Sequence, residues 1–94
     1  MANSSKYFRD TVACAVEMFS ENMQVFVYKN NTIQNVTVPG EDLVNILVKL
    51  CHDQNIFNLH LSGDSAFLDG FIHSIKETEM LQYGVKDQIK IKIV

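Results

Sequence analysis

The clearest pattern in the chain is the helical spacing of apolar residues in its second half. Four apolar side chains recur at i, i+3, i+4 and i+7, namely Leu43, Ile46, Leu47 and Leu50. This spacing predicts an amphipathic helix that ends near His52. Glu41 and Asp42 precede the stripe, where carboxylates stabilise the positive end of the helix dipole. Within residues 56–61, apolar and polar side chains alternate from Phe57 to Leu61, which predicts a strand.

A second helical stripe follows a polar turn. It consists of Leu68, Phe71, Ile72 and Ile75, and Asp64 or Ser65 can cap the helix that it predicts. Gly70 lies inside this helix at a cost of up to about 1 kcal/mol relative to Ala, so we expect it to mark close packing. Gly84 is a natural C-terminal stop. Strict alternation over residues 89–93 predicts a final strand.

The first third of the chain is less regular. Residues 1–8 are polar and show no period, and we expect them to form a flexible tail. Residues 23–29 and 32–38 are strand-like on either side of an Asn-Asn turn signal, which predicts a hairpin. Residues 11–19 fit a strand and also fit one face of a helix, because period alone does not separate the two in so short a segment.

The fold class depends on residues 11–19. As a strand, they give a single domain over residues 1–94 with the order β-β-β-α-β-α-β, and we adopt this interpretation because it completes a known architecture. The order resembles the core of the ribonuclease-H-like fold shared by nucleases, actin and sugar kinases, whose sheet order is 3-2-1-4-5. The resemblance implies a two-layer α/β (α+β) fold, since right-handed crossovers in one direction place both helices on one face of a mixed sheet. The alternative is an N-terminal helix beside a four-stranded sheet.

One segment strengthens this resemblance. Residues 59–71, Leu-His-Leu-Ser-Gly-Asp-Ser-Ala-Phe-Leu-Asp-Gly-Phe, are similar to the strand-glycine-helix phrase of the actin-like ATPases. In that family the phrase implies backbone glycines that let adenosine approach. Asp64 occupies the place of the second glycine, where its side chain would crowd a nucleotide and its charge would repel phosphates. The resemblance therefore supports the fold and argues against ATP binding.

If both helices cover one face of the sheet, the opposite face is left open. The helix side would receive alternate residues of three strands: Val12, Cys14, Val16, Phe57, Leu59, Leu61, Ile89, Ile91 and Ile93. The other side would carry Ala13 and Ala15 with a mixed set of candidate partner-binding residues: Glu17, Phe19, Phe26, Tyr28, Asn58, His60, Lys90 and Lys92. The pairing phase of the second strand decides whether its two aromatic residues belong there. Aromatic side chains in a polar surround are typical of interfaces, so this face predicts a protein partner or a dimer.

Composition narrows the classes of function. The chain has 94 residues, of which 47% are hydrophobic and 20% charged, with a net charge of −3 and Arg9 as its single arginine. This composition predicts a folded domain. The chain lacks the clustered cations that binding to a nucleic-acid backbone requires, so we expect no direct nucleic-acid binding. The sequence shows no signal-peptide pattern and no apolar run near the roughly 20 residues of a membrane span, so we expect a cytoplasmic protein without membrane contact. Cys14 and Cys51 lie in apolar segments without metal-ligand spacing, which predicts buried, reduced thiols.

Acidic residues offer one route to catalysis. Nucleases of the ribonuclease-H-like fold hold two metal ions between carboxylates at strand ends, and the candidates here are Glu17, Glu41, Asp42 and Asp64. Each has a simpler role: Asp64 as a helix cap, Glu41 and Asp42 as partners of the helix dipole, and Glu17 as a solvated residue. We therefore expect no bound metal, no cofactor and no catalytic residue.

Histidines offer a second route. His60 would lie near Glu17 if the first and fourth strands are neighbours, and a His–carboxylate pair is a common acid–base unit. No nucleophile accompanies the pair, so we interpret His60 as a hydrogen-bonded residue at an interface. His52 and His73 lie on predicted helices without metal-ligand spacing, which argues against zinc.

These patterns favour an interaction protein over an enzyme. The hypothesis is a homodimeric regulator or inhibitor that binds a protein target through the open side of its sheet. The bias towards Asn, Ile and Lys with a single Arg is typical of AT-rich bacterial or phage genomes, and the chain resembles small acidic accessory proteins of phage type. The alternative hypothesis is a relic nuclease-like or nucleotide-binding domain of the ribonuclease-H or actin-like type.

Overall fold

Five strands and two helices make up the part of the chain described by the structure, which is residues 10–17 and 21–94 of a computed structural model. In chain order they are β1 (Thr11–Val16), β2 (Asn22–Lys29), β3 (Thr32–Pro39), α1 (Leu43–Gln54), β4 (Asn58–Gly63), α2 (Ser65–Tyr83) and β5 (Lys90–Ile93). Every helix and strand expected from the sequence pattern is present, with ends shifted by a few residues. The tail expected at residues 1–8 lies outside the described residues.

The strands form one mixed sheet in the order β3-β2-β1-β4-β5. β1 pairs antiparallel with β2 and parallel with β4, and β5 extends the parallel half. This is the strand order that the resemblance implied. The strand interpretation of the first apolar segment is confirmed for residues 11–16, and the alternative of an N-terminal helix with a four-stranded sheet is wrong. Val12, Cys14 and Val16 share one side of β1 and are all buried, which only a period of two achieves.

The core lies between the sheet and the two helices. Alternate strand residues face the apolar stripes of α1 and α2, and the largest fully buried side chains among them include Leu43, Leu47, Leu59, Leu61, Leu68 and Ile75. Both helices therefore cover the same side of the sheet, as right-handed crossovers predicted. Three predicted core positions are less buried: Phe57 and Ile91 are only partly buried, and Ile93 at the sheet edge remains 52% exposed.

Local capping sets the helix ends. Asp64 accepts a hydrogen bond from the Ala66 backbone N–H at 2.9 Å, which confirms it as the N-cap of α2. Gly84 ends the same helix in the left-handed region at φ 67°. Glu41 and Asp42 belong to a short 3-10 turn before α1 rather than to its first helical turn. At the other end of α1, the Lys29 ammonium donates to the carbonyl of Gln54 at 2.7 Å, a favourable place for a cation.

Two glycines around α2 have opposite surroundings. At Gly63, which pairs with Val16, φ is 151° and an added Cβ would lie 2.5 Å from the Val16 carbonyl oxygen. Only glycine allows β1 and β4 to approach so closely there. Gly70 was expected to mark close packing, and this expectation is wrong. It is exposed and an added Cβ would meet no atom within 4 Å.

Both cysteines are buried thiols. Burial raises the pKa of Cys14 to about 11. Burial, with a smaller contribution from the nearby Glu79 carboxylate, raises the pKa of Cys51 to about 12. Thiols in this state are poor nucleophiles, because the reactive thiolate is almost absent at neutral pH.

Across residues 10–17 and 21–94, no helix combines the length and the hydropathy that a membrane crossing requires.

Candidate functional site

The strand register settles which residues lie on the sheet side away from the helices. Phe26 pairs with Ala13, and Tyr28 pairs with Thr11. Directly paired residues point to the same side of a sheet, and Val25 and Val27 are buried on the other side. The two aromatic residues therefore join the predicted surface, which we call the open face. Its members are Thr11, Ala13, Ala15, Gln24, Phe26, Tyr28, Ile33, Asn35, Thr37, Asn58, His60, Ser62, Lys90 and Lys92.

One row of paired residues crosses the whole open face. From β3 to β5 it runs Asn35, Phe26, Ala13, His60 and Lys92. Neighbouring strands lie about 4.8 Å apart, so the second and last members of the row are separated by about 14 Å. Between these two members lie the methyl group of Ala13 and the partly buried ring of His60. The row is therefore a shallow trough with an aromatic wall on one side and a cationic wall on the other.

The aromatic wall consists of Phe26 and Tyr28 on β2. Their ring centroids are 6.5 Å apart with the planes tilted by 36°, and both side chains are partly buried. Ile33, which pairs with Tyr28 across β3, is 58% exposed. The β2–β3 half of the open face therefore presents apolar surface to solvent.

The cationic wall consists of Lys90 and Lys92 on β5, both exposed. Neither ammonium forms an ion pair with a carboxylate of the described residues. His60 pairs with Lys92, and the pKa of His60 is lowered from its usual value by burial and then by the positive charge of Lys92. The histidine is consequently neutral at pH 7, and the positive charge of this wall comes from the two lysines.

Of the remaining predicted site residues, Glu17 and Asn58 do not belong to the row that forms the trough. Glu17 is exposed beyond the end of β1, and Phe19 lies outside the described residues. The Asn58 side-chain amide donates to the Asp10 carbonyl at 3.2 Å, so it serves the start of β1. The expected closeness of His60 and Glu17 is wrong. β1 and β4 are neighbours, but His60 pairs with Ala13, which places Glu17 about 13 Å further along the strand.

The four candidate metal ligands do not form a single cluster. Glu17 and Glu41 line a cavity of about 460 Å³ at the end of β1, together with Glu21. Asp64 is engaged as the cap of α2. In the part of the chain that is described, no group of three or more His, Cys, Asp or Glu side chains is placed to hold a metal ion.

A buried pair that sequence reasoning missed supports the cationic wall. The Nε2 atom of His52 lies 2.8 Å from Oε2 of Glu79, and the two side chains are only 12% and 1% exposed. The His52 ring also stacks on Tyr83 at a centroid distance of 3.7 Å and meets Phe57 edge-on at 5.1 Å. The pair thus joins the C-terminal ends of α1 and α2.

Glu79 also reaches the start of β5. Its carboxylate accepts from the Ile89 backbone N–H, with Oε2 at 3.2 Å. That bond fixes the residue immediately before Lys90, so Glu79 is a positioning residue for the cationic wall. A signal existed in the sequence: Glu79 follows Ile75 by four positions, which puts a carboxylate on the apolar stripe of its helix. Its partner lies 27 residues away, and no local pattern identifies it.

No protein-family model, curated protein or solved structure matches the chain.

Proposed function

We propose that this protein is a non-enzymatic interaction module, a homodimeric regulator or inhibitor of bacterial or phage type, which binds a protein target through its open face. The observation that carries the proposal is the register across the sheet. It aligns an aromatic wall with a cationic wall on either side of Ala13. Aromatic residues inside a polar surround are the composition of protein interfaces.

The walls define the chemistry of the target. Phe26 and Tyr28 offer apolar area with few side-chain torsions to freeze, which makes them suitable anchors. Lys90 and Lys92 offer charge that no described carboxylate neutralises. β2 and β5 lie about 14 Å apart with Ala13 and His60 between them, so one extended segment can contact both walls at once. The target would present apolar side chains towards β2 and carboxylates towards β5.

The state of the reactive groups supports a non-enzymatic role. The raised pKa values of Cys14 and Cys51 leave both thiols unsuited to nucleophilic attack. His60 lies far along the strand from Glu17, and Asp64 is committed to a helix cap. These features favour binding over acid–base or covalent chemistry.

A nuclease-like or nucleotide-binding function is the second candidate. The cavity at the end of β1 favours it, since Glu17, Glu21 and Glu41 all line that space. Titration with Mg²⁺ or Mn²⁺, followed by calorimetry, separates the two functions. The interaction module predicts no saturable heat. A binding isotherm that disappears in Glu17→Gln would favour the second candidate instead.

Quantitative co-purification from cells that naturally express the protein tests target binding. Tyr28→Ser removes part of the aromatic wall, and Lys92→Glu reverses charge on the cationic wall. Lys49→Glu is the matched control, because Lys49 is an exposed lysine on α1, on the opposite layer. We expect one protein to be retained by the wild type and the control and lost with both open-face variants. Equal retention by all four proteins would contradict the proposal.

A further inference from the structure

The outer edge of β3 is free in the described part of the chain, because β3 is the last strand on its side of the sheet. This edge is regular. All eight residues from Thr32 to Pro39 pair with β2 without a bulge. It is also uncharged, with the sequence Thr-Ile-Gln-Asn-Val-Thr-Val-Pro. Long, regular, uncharged edges are templates for pairing with another strand.

One hydrogen bond fixes which backbone groups point outward from β3. The Gly40 N–H donates to the Glu21 carbonyl at 2.8 Å. Along an antiparallel ladder, residues that bond the neighbouring strand alternate with residues that do not. Counting back from Gly40, the N–H and C=O groups of Ile33, Asn35 and Thr37 therefore face away from β2. Pro39 falls in the same outward phase, where its missing N–H costs the ladder nothing.

The opposite edge of the sheet is built differently. β5 is only four residues long and carries Lys90 and Lys92. The Lys90 N–H donates to the carbonyl of Phe57, just before β4, at 2.7 Å, and the N–H of Val94, just after β5, donates to the Leu61 carbonyl at 2.9 Å. A short edge with lysines is typical of an edge protected against pairing. Two copies of β5 would also bring like charges together, and two copies of β3 would not.

We propose that two copies of this chain pair antiparallel through β3, with the two-fold axis at Asn35. In this register Asn35 faces its own copy, and Ile33 faces Thr37 of the second copy. The three outward residues of each strand then form about six hydrogen bonds across the axis. Asn35 lies at the middle of residues 32–38, so the overlap uses nearly the whole strand. This inference deepens the proposed function, on which it rests, by naming the contact that makes the homodimer.

The pairing has a consequence for target binding. The axis of an antiparallel strand pair is perpendicular to the sheet, so both open faces lie on the same side of one continuous sheet. The aromatic walls, next to β3, come close to the axis, and the lysines lie at the two far ends. A target would then meet a two-fold surface that is apolar at its centre and basic at its periphery.

Sedimentation velocity over roughly a hundredfold range of concentration tests the contact. Strand pairing alone buries less than a standard interface, so we expect dissociation in the micromolar range. Asn35→Lys and Asn35→Glu each place like charges at the axis and should abolish the dimer. An equimolar mixture of the two variants should restore it, because opposite charges then meet. Gln88→Lys, an exposed position near β5, is the matched control and should dimerise as the wild type does.

The outcomes separate this inference from the proposed function. A wild-type protein that is monomeric throughout, or a dimer that survives both Asn35 variants, overturns pairing through β3. A dimer lost with Tyr28→Ser instead would place the contact on the open face and also overturns it. Target binding is read independently by co-purification, so it stands or fails in a different experiment. Amide exchange adds a direct readout: Ile33, Asn35 and Thr37 should become protected as concentration rises, and unchanged exchange would contradict the pairing.

Discussion

Truncation of Glu79 is the perturbation whose cost the structure specifies best. The side chain is 1% exposed, and its carboxylate accepts from the His52 ring at 2.8 Å and from the Ile89 N–H at 3.2 Å. Glu79→Ala removes both acceptors at once. The N–H of Ile89 is left buried without a partner, and the His52 ring loses its hydrogen bond to the carboxylate.

The expected loss follows from these two contacts. An unsatisfied buried donor costs about 1–3 kcal/mol, and losing a hydrogen bond to a carboxylate costs about 1.5–3 kcal/mol. The two figures overlap, since they share the same carboxylate. We therefore expect Glu79→Ala to lower the free energy of unfolding by about 3 kcal/mol. Glu79→Gln keeps an acceptor for Ile89 and should cost about 1–2 kcal/mol.

Urea denaturation at fixed pH measures this loss. With a slope near 1.5 kcal/mol per molar urea, a loss of about 3 kcal/mol lowers the midpoint by about 2 M. Glu77→Ala is the matched control, because Glu77 forms an exposed i,i+4 pair with His73 at 3.8 Å on the same helix. Its side chain is 66% exposed, so its removal should change stability by less than about 0.5 kcal/mol.

Equal midpoints for Glu79→Ala and Glu77→Ala would refute the reasoning. That result would mean that the buried carboxylate contributes no more than an exposed one, and that β5 holds its position without it. A loss by Glu79→Gln as large as the loss by Glu79→Ala would show that the negative charge, rather than the acceptor for Ile89, provides the stabilisation.

Three further predictions concern the end of β4, the exposed side of α2 and the open face. Gly63→Ala should destabilise the protein by more than about 1 kcal/mol, because φ is 151° at this position and the added Cβ would lie 2.5 Å from a backbone oxygen. If urea denaturation shows a variant as stable as the wild type, β1 and β4 can separate there. Gly70→Ala should raise stability by up to about 1 kcal/mol in the same assay, because the added methyl group meets open space. A loss of stability would indicate that the methyl group contacts other atoms at that site. Burial and then Lys92 lower the pKa of His60, so the folded state binds its proton less well than the unfolded chain. The stability it contributes is complete above the usual pKa of about 6.5 and falls as pH drops below that value towards the folded-state pKa. An NMR titration should show this pKa rising towards its usual value in Lys92→Gln, and an unchanged pKa would remove the lysine as a cause.

The regular elements could be predicted because their signals are local. The stripe from Leu43 to Leu50 and the alternation through residues 89–93 each reflect one buried side of one element. The hydrophobic period did not distinguish a strand from a helix over residues 11–19, and we chose the strand because it completes the architecture. Burial of alternate residues in β1 confirms that choice for residues 11–16.

The pairing phase of β2 could not be predicted, although the strand itself could. Both sides of β2 carry residues that suit a sheet, with Val25 and Val27 on one side and Phe26 and Tyr28 on the other. A shift of one residue would have exchanged the two sides. Packing against the helices determines which side of β2 is buried, because the β-branched side chains of Val25 and Val27 fill the core.

The failed expectations have long-range causes. Gly70 was assigned close packing because glycine is costly inside a helix, but it lies on the exposed side of α2. His52 and Glu79 are 27 residues apart on different helices, so their contact exists only once the helices pack. Closeness of His60 and Glu17 was inferred from adjacent strands, and the register moved them apart. The fold resemblance implied that β1 and β4 are neighbours, but it did not give the register along them.

Hydroxyl-radical footprinting of the protein bound to its co-purified target tests the central claim most directly. Tyr28 lies on the open face, and Tyr83, which is 37% exposed at the end of α2, provides an internal reference on the helix layer. Target binding through the open face predicts that oxidation of Tyr28 and Phe26 falls in the complex and that oxidation of Tyr83 does not change. Protection of Tyr83 with unchanged oxidation of Tyr28 would place the target on the helices and contradict the account.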